Sequence, residues 1–62
     1  MSIDEELDLT LRFSTRWDLD RQGIATWDQL CALDDRTRRR LIGWGKITEQ
    51  RFQARRVELA RR

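Results

Sequence analysis

Histidine and proline are absent from this chain, and cysteine occurs once. Without histidine the usual nucleophile–base pairs and the common zinc-finger ligand sets cannot be assembled. A lone Cys31 cannot close an intrachain disulfide, so the staples on which many small domains rely are missing. No phosphate-binding loop of the nucleotide-hydrolase type is present. Apolar residues never run longer than the four of Leu30–Leu33, against the roughly 20 needed to cross a bilayer. Neither a membrane span nor a secretory leader is therefore expected in it. These absences point away from an enzyme, a metal site and a bound cofactor, and towards a reducing, cytoplasmic setting.

What is present fits one small domain. The 62 residues are 39% hydrophobic and 39% charged, with a net charge of +2. That value hides a division. Residues 1–35 sum to −6 and residues 36–62 to +8, and all but one of the 13 cations are arginine. Arginine presents a planar fork of donors suited to phosphates and base edges. Either a polyanion or acidic partner faces the C-terminal half, or two oppositely charged helical faces pair with each other.

The absence of proline, the abundance of good helix formers and the lack of any β-branched run predict an all-α fold. Ser2-Ile3-Asp4-Glu5 has the form of a capping box. Leu7, Leu9, Leu11 and Phe13 alternate, however, so residues 1–9 are expected to be a lead-in turn or extended segment. A helix should follow from about Thr10 to Gln22, with Gly23 just beyond its end. Thr26 marks a second helix carrying Trp27, Leu30 and Cys31 on one side, with Cys31 packing as a small hydrophobe. Asp34 precedes a third, over about Asp35 to Ile42. A last helix is expected from Lys46 or Thr48 to the end, with a thin buried face of Phe52 and Leu59 flanked by the stems of Arg55 and Arg56. The architecture expected is a compact bundle of four short helices.

Ile42-Gly43-Trp44-Gly45 interrupts the last two helices with the apolar-Gly-apolar-Gly pattern of a helix-hairpin-helix element. Glycine allows a sharp turn and a close approach of backbone to ligand. The amides that open the next helix are unpaired donors, suited to a phosphate. Lys46 and Thr48 would add a charge and a hydroxyl there. A helix end followed by an ordinary turn would leave the same four-residue pattern.

From Asp8 onward the chain resembles the C-terminal domain of the bacterial RNA polymerase α subunit. Asp8-Leu9-Thr10-Leu11-Arg12 is similar to that family's acidic-Leu-hydroxyl-apolar-Arg opening. Gly23-Ile24-Ala25-Thr26-Trp27-Asp28-Gln29-Leu30 is similar to its second-helix stretch. Asp34 to Leu41 corresponds to its short third helix, and Trp44-Gly45-Lys46-Ile47-Thr48 to the apolar-Gly-basic-basic-Ser before its last one. The resemblance implies a domain that grips double-stranded DNA at A·T-rich minor grooves, with Arg12 entering the groove and Gly45, Lys46 and Thr48 holding phosphates. A narrow A·T groove concentrates negative potential, which attracts an inserted arginine. The full candidate interface is Arg12, Thr15, Arg16, Gly43, Gly45, Lys46, Thr48 and Arg51.

This chain also departs from the family. It has two extra residues between Arg12 and Ile24. Thr15 replaces an asparagine near the groove, with Arg16 beside it. Ile47 stands where a second basic residue is usual, and Arg51 where an acidic one is common. Arg38, Glu49 and Arg56 occupy positions that are usually apolar, so Trp17, Trp27, Trp44 and Phe52 are expected to enlarge the remaining core unless the hairpin tip exposes Trp44. Arg12 could instead pair with Asp8 at the surface. Arg36 and Arg38-Arg39-Arg40 could be a phosphate patch or a solvated helix face. The alternative function is a protein-interaction module of the same fold in transcription, using Asp4, Glu5, Glu6 and Asp8 or the arginine-rich helix.

Overall fold

A computed structural model describes residues 2–62, and among them all regular structure is helical. There are five helices rather than four: α1 (Ile3–Leu7), α2 (Phe13–Arg21), α3 (Trp27–Cys31), α4 (Asp35–Arg39) and α5 (Lys46–Ala60). The additional one is α1, where a turn or extended lead-in was expected. Ser2 caps it, its hydroxyl accepting the Glu5 amide at 3.2 Å, and Asp4, Glu5 and Glu6 sit in its first turn. Asp8 closes it in the left-handed region, at φ 54°. Five residues are too few for helix propensity alone to sustain. Docking on α5 and α3 holds α1 in place, burying Ile3 and Leu7 and bringing Glu6 within 3.1 Å of Arg55.

Other boundaries move inward. Residues 10–12 carry no regular structure, Arg12 is extended and α2 starts at Phe13, while α4 ends at Arg39, short of Ile42. The second and last helices run as expected. Thr26 accepts the Gln29 amide, and the Gln29 side chain accepts the Thr26 amide in return, completing a capping box at the head of α3. Gly23 follows α2 at φ 74°.

Phe52 is the centre of the core. It is fully buried, with the Trp27 ring at 5.2 Å and the Trp44 ring edge-on at 5.9 Å. Leu7, Leu19, Leu30 and Leu41 close around the aromatic group, and Leu59 and Cys31 pack against it from half-buried positions. Burial pushes the Cys31 thiol pKa up, which keeps it protonated.

Trp17 does not enlarge this core. It is 51% exposed, because the register of α2 turns Thr15, Asp18 and Leu19 inward instead. The Arg21 guanidinium stacks over its outer ring at 5.6 Å.

Two of the three usually apolar positions, Arg38 and Glu49, are paired with each other. Arg38, wholly buried, donates to Glu49 through Nε at 2.9 Å and Nη2 at 2.7 Å, and Nη2 also reaches Asp35 at 2.9 Å. Its guanidinium lies 4.4 Å from the centroid of the Phe52 ring. Glu49 further accepts the Trp44 indole N–H at 2.7 Å and the Gln53 amide at 2.8 Å. An ion pair clamped to α5 thus occupies the space that apolar side chains were expected to fill.

Candidate nucleic-acid interface

The hairpin is fastened to α2 at two points. The Ile42 amide donates to Asp18 Oδ2 at 3.0 Å across 24 residues of chain, while Oδ1 accepts from Arg21 and Gln22. The Ile42 amide bond, followed by the Arg21 bond, holds the Asp18 carboxyl below its usual pKa. One turn earlier, Thr15 lies against Gly43, which sits at φ 75°. A Cβ on Gly43 would run into Thr15 Oγ1, so glycine is required there by both backbone and packing.

That contrast yields a direct test. Gly23 shares the positive φ but has open space around it, whereas Gly43 has none. Gly23→Ala should cost about 1–2 kcal/mol, the left-handed penalty alone. Gly43→Ala should exceed it by a further 1–3 kcal/mol or so from overpacking. Equal unfolding midpoints in urea for the two variants would contradict the close packing.

Fixing the hairpin against α2 creates an open groove of about 650 Å³. It is lined by residues 9–12, ahead of α2, and by residues 43–48, from the hairpin and the start of α5. Six of the eight candidate residues line it: Arg12, Thr15, Gly43, Gly45, Lys46 and Thr48. No carboxylate does. Arg12 and Lys46 have no ion-pair partner among the described residues, so neither charge is neutralised by the fold. Arg12 in particular does not pair with Asp8, which faces Arg51.

Gly45 is the N-cap of α5 and offers no side-chain cap. The first bond within the helix is Glu49 N–H to Gly45 O, at 3.0 Å, which leaves the Lys46, Ile47 and Thr48 amides ahead of it. The residues that carry these donors, at the positive end of a 15-residue helix, line the groove together with Arg12.

Three candidates have partners within the molecule. Thr15 lines the groove but is only 1% exposed and lies against Gly43. Arg16 pairs with Asp4 outside the groove. Arg51 donates to the Asp8 carbonyl at 3.2 Å, tying α5 to the end of α1. Arg38 is removed from any phosphate patch by burial, while Arg36, Arg39 and Arg40 remain exposed.

Part of the charge division serves the fold. Glu6 of α1 pairs with Arg55 of α5 and Asp4 with Arg16, while Asp8, the C-cap of α1, faces Arg51 from an exposed position. The acidic N-terminal face is therefore engaged within the molecule at Asp4 and Glu6. Sequence reasoning did not find Asp18 or the Arg38–Glu49 pair, since nothing local marks either one. The Thr26-x-x-Gln29 box was legible and overlooked. No protein-family model, curated protein or solved structure matches this chain.

Proposed function

We propose that the chain is a DNA-binding module of the kind represented by the polymerase α C-terminal domain, acting in transcription. It takes backbone phosphates at the α5 N-terminus and an A·T-rich minor groove at Arg12. The observation that carries this is the groove itself: two unneutralised cations and an uncapped helix start line it together, with no carboxylate in the lining. Phosphate contacts at Gly45, Lys46 and Thr48 would orient the duplex, and Arg12 would sense groove width. Trp44, the aromatic residue of the hairpin, is turned inward onto Phe52, which supports the same reading, because a protein-docking hairpin tip would present that ring to its partner.

Titration with an A·T-rich duplex at low salt should move the amide resonances of Arg12, Gly45 and Lys46. Arg12→Ala should lose about 1–3 kcal/mol of affinity and the preference for A·T over G·C. Lys46→Ala should weaken both duplexes alike and lower the salt slope by about 1. Silence of all three amides at low salt would sink the proposal.

A further inference from the structure

A second, smaller cleft shares residues with the groove. It encloses about 270 Å³ and is lined by Arg39, Trp44, Gly45, Lys46 and Glu49. Trp44, Gly45 and Lys46 line the groove as well, so the two spaces meet at the head of α5. Arg39, the last residue of α4, is what the second cleft adds. Residue order gives it the same standing as Arg36 and Arg40. Those two are also exposed, yet neither lines the cleft.

The carboxylate in the lining does not make this cleft unfit for an anion. Glu49 Oε1 accepts from Arg38 Nε and the Trp44 indole, and Oε2 accepts from Arg38 Nη2 and the Gln53 amide. Both oxygens are thus occupied, and the buried Arg38 guanidinium balances their charge. Arg39 has no such engagement. Neither it nor Lys46 has an ion-pair partner among the described residues. A free guanidinium and a free ammonium lining one cleft suit a ligand with several anionic acceptor oxygens. A duplex offers such groups in series, one charge for about every 3.4 Å of axis along each strand. A strand held at Lys46 therefore has further phosphates within a side chain's length.

We infer that Arg39 is a phosphate-binding residue of this interface, and that the strand held at Lys46 continues to the end of α4. The inference rests on the DNA-binding proposal and extends its footprint to a helix that none of the groove residues belongs to. It also separates Arg39 from Arg36 and Arg40, which contribute only to the general field.

The test uses the intact chain, with A·T-rich and G·C-rich duplexes of equal length titrated over a series of salt concentrations. Arg39→Ala should weaken binding to both duplexes by the same factor and lower the salt slope by about 1. The gap between wild type and this variant should accordingly narrow about 3.5-fold from roughly 50 to 200 mM salt. Arg39→Lys, which keeps the charge, should retain the wild-type slope. Arg36→Ala removes an exposed charge of the same helix outside the cleft and should leave the slope unchanged. Urea unfolding of each variant is measured alongside.

An unchanged slope in Arg39→Ala overturns the inference. If stability falls at the same time, Arg39 serves the helix end, where a cation complements the macrodipole. Equal losses in Arg36→Ala and Arg39→Ala overturn it too, because a diffuse field rather than the cleft would then be responsible. In either case binding at Arg12 and Lys46 stands. Should no duplex bind at low salt, both proposals fall.

Discussion

Glu49→Ala is expected to destabilise the domain by about 3–5 kcal/mol, the usual result of removing one member of a buried ion pair. The asymmetry of the pair sharpens this expectation. Arg38 is wholly buried and keeps only Asp35 as an anionic partner once Glu49 is gone, whereas the Glu49 side chain is 18% exposed and retains two neutral donors. Arg38→Met should therefore cost less than Glu49→Ala, its stem volume being preserved and the residual carboxylate reaching water. Urea unfolding followed by tryptophan emission, with wild type and both variants held folded by the same concentration of an excluded osmolyte, measures both; the reverse order would refute this account of the buried network.

Acid should reveal the same pair. The Arg38 guanidinium, aided by the Gln53 and Trp44 hydrogen bonds, holds the Glu49 carboxyl at about 2, against an ordinary value of 4.5. A depressed carboxyl contributes stability that is complete above its unfolded pKa and disappears as pH falls through the folded one. Stability should be level above about pH 5 and drop by roughly 3 kcal/mol towards pH 2 from this group alone. Arg38 stays charged throughout, since its pKa is raised by the Glu49 bond. In Glu49→Gln the acid slope should be visibly shallower.

Phe52→Ala should be of comparable size, about 3–5 kcal/mol, because a buried ring is lost and its surroundings cannot collapse. Two tryptophans and the Arg38 guanidinium bear on that ring from α3, the hairpin and α4, so no single element can move in to fill the space. A single core in a chain this small rarely supplies more than about 3–5 kcal/mol in total. The variant should be largely unfolded at 25 °C by circular dichroism, and an excluded osmolyte should restore helix. A cooperative transition near the wild-type midpoint would mean that the core is not organised around Phe52.

The groove and the core are mechanically one object. Glu49 follows Thr48 at the head of α5, and it binds the indole of Trp44 within the hairpin and Arg38 from α4. Lys46 is thereby carried on a helix start that is braced from beneath, while Asp18 and Thr15 brace the hairpin from α2.

Much of this was legible from residue order. The all-α class, Thr26 at the head of α3, Gly23 after α2 and the hairpin glycines before α5 are local signals, acting over four residues or fewer, and local signals survive without knowledge of the rest of the chain. So are the groove cations Arg12 and Lys46, each marked by its motif. What could not be read are the features set by docking. Whether Ile3–Leu7 coils depends on α5 being beside it. Which tryptophan is buried depends on helix register against neighbours: Trp44 joins the core, whereas Trp17, expected there too, is turned outward. Arg38 and Glu49 look like losses to a small core until α4 and α5 bring them within hydrogen-bonding distance across 11 residues of sequence. Periodicity and capping specify where a helix starts and stops, but the side it buries, and the charge it meets there, are set by long-range packing.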